Sequence, residues 1–409
     1  MPKKVKIKGE NLKAIAIVRE LLDELLLAGT IISDQLSFIV DHGHLSIRCE
    51  KSNVAKETLL SIPLKCMPLL ADFDFSVTDE IQIIAQPKQT VLNKQGLRFM
   101  QLMIDLYNET EKLKYWSGVF PIIALKDHPK LISVLLNAKA LNKKANNFKN
   151  LYNNQQWDEL LLVSFFGSRE FIYKADKLSQ SGINTSNKSE KGLLNVIDFL
   201  NHQTGANGYS FNADNSLIIN SSAEITTGEV YVEYNYLDPL MAYLFYGFVD
   251  LSSSWIFSVM LELFTLQGNS LLVMNNPVLN KANLTQELES LNKYIPGDIQ
   301  TNGVNIAVSH IVIPNNENHA ALRKVIRYIL LTTDKVGRYK DASYLQQEIL
   351  HIEKQLIEKN YGYWKTLEGE TELALLKTSN NEIVRAALTQ LNNLTKINLQ
   401  YIKNYVEHK

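Results

Sequence analysis

Apolar positions first recur at helical spacing near the amino end, where Ile15, Val18, Leu22, Leu25 and Leu26 share one face and Gly29 supplies a stop. Three short runs follow, "QLSFIVD", "LSIRCE" and "TLLSIP". Their lengths and the polar breaks "HGH" and "KSNVAKE" predict three strands. From about Ile83 to Gln156 the period changes to that of helices, with Leu97, Met100, Ile104 and Tyr107 on one stripe. The apolar run "LLLVSFF" then leads into Ser168-Arg169-Glu170-Phe171. The polar stretch 174–191 predicts a mobile loop. Beyond Asp250 come apolar and mixed segments and a strand in "GVNIAVSHIVIP". From Ala321 onward two helical stripes appear, Leu322, Val325, Ile326, Ile329 and Leu330, then Leu345, Ile349, Ile352 and Leu356, before a long closing helix.

A chain of 409 residues is too long for one ordinary core, so two or three domains are expected. Lys plus Arg number 42 against 43 Asp plus Glu, a balance that advertises neither nucleic acid nor an anionic membrane as partner. Cys49 and Cys66 are the only cysteines and lie at no metal-ligand spacing. They imply no disulfide framework and suit a reducing, cytoplasmic setting. The basic start is followed by a segment that Glu20, Asp23 and Glu24 interrupt, and no run reaches the roughly 18 apolar residues of a membrane span. Export by a route other than a Sec signal would leave no readable mark. His42 and His44 are expected as exposed turn histidines, and no metal site is expected.

The stretch 194–250 carries the candidate chemistry. "LLNVIDFLNH" is an apolar run broken by Asp198, Asn201 and His202, which places those polar groups where a buried segment meets a site or a loop. In "GEVYVEY", Val230, Val232 and Tyr234 alternate on one strand face against Tyr231 and Glu233, so a phenol stands at the end of an apolar face. Tyr246-Gly247-Phe248 follows at a short distance.

The ordered set Asp198, Asn201-His202, Gly228-Glu229, Tyr234 and Tyr246-Gly247-Phe248 resembles the SET-domain protein methyltransferases, in the branch of Rubisco large-subunit lysine methyltransferase and actin-histidine methyltransferase. Ser168-Arg169-Glu170-Phe171 resembles that branch's S-R-x-F, and Trp116 with Pro121 its tryptophan and proline signature. The resemblance implies an α+β fold: a β-rich core with a helical insertion, then a mainly α-helical carboxyl-terminal domain. On this reading residues 1–82 open the core, 83–156 form the insertion, 157–250 complete the core with its motifs, and 251–409 form the helical domain.

It further implies S-adenosylmethionine as cofactor, with Arg169 meeting its carboxylate through two parallel charge-assisted bonds and Ser168, Asp198, Asn201 and His202 around it. Tyr234 would orient the methyl group and the incoming amine, and Tyr209, Tyr246, Phe171 and Ile197 would line the acceptor channel. The family's leading Gly-x-Gly turn is replaced by His42-Gly43-His44. Its Tyr-Gly and Ser-Asn pairs become Tyr234-Asn235 and Asp238-Pro239, which keeps a non-catalytic, protein-binding SET fold open as an alternative. A histidine acceptor is the other alternative. Phe171 and Ile197 stand where the histidine-modifying branch has asparagine and tryptophan. A phenylalanine suits a lysine stem and offers an imidazole no hydrogen bond. The expected partner is a protein substrate docked by the carboxyl-terminal helical domain of a monomer.

Overall fold

Side-chain alternation dictates the first pairings. In the computed structural model, which describes residues 5–41, 44–50, 57–221, 227–234, 236–278, 289–315, 319–334, 337–378 and 381–407, the strand Leu36–Asp41 lies antiparallel to His44–Cys49. Phe38, Val40, Leu45 and Ile47 are sealed from solvent (0–1% exposed), each burial contributing on the order of 1.5–3 kcal/mol. Lys6–Lys8 joins parallel on one edge and Gly228–Glu229 antiparallel on the other. A second sheet runs in the order Ser210–Phe211, Ser216–Asn220, Thr58–Pro63, Ile31–Ile32. The helix Leu12–Leu27 buries Val18, Leu22 and Leu25, and Asn11 caps it by accepting from the backbone N–H groups of Lys13 and Ala14.

The chain divides into two compact units. One takes residues 1–117 and 157–235, the other 118–156 and 236–409. The first holds the sheets above, the hairpin Phe73–Val77 with Ile83–Pro87, and a second hairpin, Glu170–Lys174 with Ser189–Leu193. Its helices include Gly96–Glu109 and Trp157–Gly167. The structure differs from the sequence expectation in two places. Ile83–Pro87 is a strand, because its apolar residues satisfy their backbone across the hairpin, and helix begins only at Gly96. The polar stretch 174–191 is ordered, with a helix at Ala175–Gln180 and a strand from Ser189, since Leu178 and Ile183 are buried.

The second unit contains the helices Pro129–Asn137, Lys143–Asn153 and Pro239–Tyr246, then, among the described residues, six strands between Trp255 and Pro314. Four of these strands form one sheet and two pair separately. The mainly helical part therefore starts later than Asp250, with His319–Thr333, Ala342–Lys377 and Glu382–Glu407. Leu322, Val325, Ile326, Ile329, Leu330, Leu345, Ile349, Ile352 and Leu356, the two stripes read from the sequence, are all buried. Among the described residues no helix is long and apolar enough to cross a membrane.

Candidate active site

Helix termination seats the first group of candidate residues. The helix Trp157–Gly167 leaves its last carbonyls without intrahelical donors, and Ser168 Oγ donates to Phe165 O at 2.8 Å. Arg169 folds back over the same terminus. Its guanidinium donates to Phe165 O at 3.0 Å and to Ser168 Oγ at 2.6 Å, a position the helix dipole favours for a cation. The guanidinium carbon lies 3.9 Å from the Phe165 ring centre, 5.2 Å from Trp116 and 6.0 Å from Tyr107. Nε sits 3.4 Å from Asp198 Oδ2, the two side chains being 9% and 11% exposed.

Asp198 thus reaches toward Arg169, and it also accepts from Tyr107 OH at 3.0 Å. Burial and the Asp198 carboxylate hold the Tyr107 phenol well above its ordinary range, so it remains a donor. The partly buried Lys112 has Arg169 and Asp198 as electrostatic neighbours. Burial lowers its ammonium to about 8, aided by repulsion from Arg169 and opposed by attraction to Asp198.

Asn201 and His202 make a separate set of contacts. The 3-10 turn Asn195–Phe199 buries Val196, Ile197 and Phe199 completely, and Leu200 is 1% exposed, so the polar pair emerges at its end. Asn201–His202 pairs parallel with Tyr231–Val232, two residues on each side. Asn201 Nδ2 donates to Glu229 Oε1 at 2.5 Å, and Glu229 Oε2 accepts from Tyr231 OH at 3.2 Å. His202 Nδ1 accepts the backbone N–H of Tyr234 at 3.0 Å, which puts the ring proton of the neutral imidazole on Nε2, 3.5 Å from Thr204 Oγ1. Tyr234 OH donates to Leu200 O at 2.7 Å, and the two rings lie 5.3 Å apart. Two hydrogen bonds therefore clamp the segment carrying Tyr234, one onto the Leu200 backbone carbonyl and one onto the His202 ring. With its proton committed to Leu200, the Tyr234 oxygen meets any further partner as an acceptor.

A cluster of aromatic rings, with Phe171, Tyr209 and Phe211 half-buried and Tyr173 buried, stands next to this clamp. Asn207 O accepts from Glu233 N–H at 3.3 Å, which sets Gly208 and Tyr209 beside the residue preceding Tyr234. The Tyr209 ring meets Phe171 edge-on at 6.0 Å, and Phe171 meets Phe211 at 6.0 Å and Tyr173 at 5.1 Å. The structure thus brings Phe171 and Tyr209 together. It leaves Ile197 with no exposed surface, inside the turn.

Tyr246 belongs to the second unit, at the end of the helix Pro239–Tyr246, with the Lys144 ammonium 5.8 Å from its ring centre. Gly247 ends that helix in a left-handed conformation (φ 73°), a role suited to glycine. Pro239 occupies the first helical turn, where its missing N–H costs nothing. Buried Asp238 caps the helix, accepting from Met241 N–H at 2.8 Å and from Phe257 N–H at 2.9 Å. Asp238-Pro239 is therefore a helix start. His42, Gly43 and Asn235 lie outside the described residues, and His44 opens a strand with its side chain exposed.

Sequence reasoning did not find Tyr107, Lys112, Phe165 or Phe211 as site neighbours. Tyr107 lies in a helical stripe and Phe165 in an apolar run, which points to core rather than to a site. Phe211 alone carried a signal, two residues from Tyr209 and on the same face of an extended segment.

No family model and no curated protein matches this chain. Solved structures to which it is similar include the SET domain of LSMT bound to lysine and AdoHcy, at 13% identity over 96% of this chain and 92% of that chain, with a TM-score of 0.41. Rubisco LSMT bound to sinefungin and monomethyllysine gives the same figures. Rubisco LSMT bound to AdoMet gives 14% identity with the same coverage and TM-score.

Proposed function

We propose that this protein is a SET-type, S-adenosylmethionine-dependent methyltransferase whose acceptor is a lysine side chain of another protein. The observation that carries the reading is the clamp of Tyr234 onto Leu200 and His202, formed by residues 32 and 34 positions apart in sequence. It unites the Asn-His pair and the tyrosine that the ordered motifs single out.

The residues fit the groups of such a cofactor. Arg169 and Lys112 offer positive charge to a carboxylate, and Asn201 and His202 offer polar contacts beside Tyr234. When bound, the cofactor supplies an electrophilic methyl on a sulfonium. This chain's part is to position and desolvate. A lysine ammonium with a pKa of roughly 10.4 must lose its hydration and a proton before it can attack. Phe171, Tyr209 and Phe211 offer apolar faces to the lysine stem. The Tyr234 oxygen, as an acceptor, orients the amine for in-line attack, where near-attack geometry provides most of the gain. Phe171 presents no hydrogen bond that would hold an imidazole, which favours lysine over histidine.

The protein partner is proposed to dock on the carboxyl-terminal helices. Support comes from a groove of about 770 Å³ between Ala342–Lys377 and Glu382–Glu407, lined by Ile357, Tyr361, Leu399, Ile402 and Val406.

Calorimetric titration with S-adenosylhomocysteine tests the function. Wild type is expected to bind, and Asn201→Ala to lose binding while its circular dichroism stays unchanged. A well-folded wild type that takes up no S-adenosylhomocysteine would refute the reading.

A further inference from the structure

Lys112 has no counterpart among the motifs, yet the fold delivers it to Arg169. It opens the helix Lys112–Val119, and Trp116 lies one turn further on. Residues at this spacing share a helix face. The Trp116 ring packs 5.2 Å from the Arg169 guanidinium and is fixed there by its own hydrogen bond from Nε1 to Ser164 Oγ at 2.9 Å. Lys112 therefore stands on the helix face that meets Arg169. Five residues earlier, Tyr107 donates to Asp198, the carboxylate paired with Arg169. Arg169 pairs with Asp198 at 3.4 Å, and Lys112 is an electrostatic neighbour of both.

Such a composition is expensive in a buried place. Like charges repel strongly at low dielectric, and each cation loses hydration. The repulsion is visible in Lys112, whose proton affinity falls more through Arg169 than it recovers through Asp198. An arriving anion would relieve both cations. Arg169 Nε faces Asp198 Oδ2 at 3.4 Å without a hydrogen bond to it, in a side chain that is nine-tenths buried. A planar carboxylate fits this need better than a neutral group, because it can accept from a guanidinium and an ammonium at once.

We propose that Lys112 is a binding residue that, together with Arg169, seats the carboxylate of S-adenosylmethionine. The inference rests on the function proposed above, and it adds a residue that the motifs do not mark.

The experiment compares S-adenosylhomocysteine with its decarboxylated analogue by calorimetry. Wild type is expected to prefer the carboxylate-bearing ligand. Lys112→Met should weaken S-adenosylhomocysteine about tenfold, the worth of one charge-assisted hydrogen bond, and leave the analogue unaffected. Lys112→Arg should recover most of the loss. Equal affinity of wild type for the two ligands overturns the proposal without recourse to any variant. So does a Lys112→Met change that moves both ligands alike or neither. These outcomes leave the methyltransferase reading intact, whereas failure of wild type to bind either ligand overturns both.

Discussion

Removing the Tyr234 hydroxyl separates its two roles. In Tyr234→Phe the bond to Leu200 O is lost, at a cost of about 1 kcal/mol in stability, but the backbone bond from Tyr234 N–H to His202 Nδ1 survives. The segment should stay in place and S-adenosylhomocysteine should still bind. Methyl transfer to an acceptor lysine should fall by at least about 100-fold, the usual worth of one preorganised polar group at a reacting centre. Turnover within a few-fold of wild type would remove Tyr234 from the chemistry. This residue stood out in the sequence because a phenol ending an apolar strand face is a definite local pattern. The partner of its hydroxyl was not legible, because a backbone carbonyl 34 positions away leaves no mark in residue identity. The same limit hid Lys112, a lysine among several whose surroundings depend on how the helix Lys112–Val119 lies against Arg169.

The hairpin Glu170–Lys174 with Ser189–Leu193 positions the aromatic cluster, and its register sets Phe171 opposite Gly192. A methyl group on Gly192 would lie 2.6 Å from Tyr173 Cε2 and 2.7 Å from Pro68 O. Neither neighbour yields easily, since Tyr173 is buried and Pro68 O accepts from Leu193 N–H at 2.9 Å. Gly192→Ala should therefore destabilise by about 1–3 kcal/mol, the cost of overpacking, read as a lower midpoint in thermal denaturation. An unchanged midpoint would mean that the hairpin slides freely and that Phe171 is not fixed by it. This hairpin shows where elements were hard to read. Residues 174–191 are too polar to announce helix or strand, and what ties them down, the burial of Leu178 and Ile183 and the bonds of Thr185 and Asn187 to buried Glu190, shows only in three dimensions. Ile83–Pro87 has too few residues for its period to be told from a helix, and a partner strand decided the matter. The helices from 319 onward were legible because long amphipathic stripes need no partner to be recognised.

Across the whole molecule, burial of ionisable groups fixes how stability responds to pH. Lys139, fully buried and donating to Asn275 Oδ1 at 2.8 Å, is lowered by burial from 10.5 to about 8, and burial lowers Lys112 similarly. Between these values the unfolded chain holds more protons than the folded one, so both lysines make stability rise as pH passes upward through 8. Cys66 acts in the opposite sense. Burial raises its thiol from 9.0 to about 11, so stability declines from pH 9 upward, and buried Tyr107, Tyr173 and Tyr243 add to that decline from pH 10. On the acid side, burial lowers His310 from 6.5 to about 3, and stability falls as pH drops through that interval. The lysine contribution therefore outweighs the opposing onset of the Cys66 contribution between pH 8 and 9. Thermal midpoints should climb across that unit in wild type, and Lys139→Met should flatten the climb whatever its effect on the absolute midpoint. A wild-type midpoint that is level or falling from pH 8 to 9 would show that these two lysines keep ordinary proton affinities in the folded chain, by finding water or an anion that burial alone does not supply.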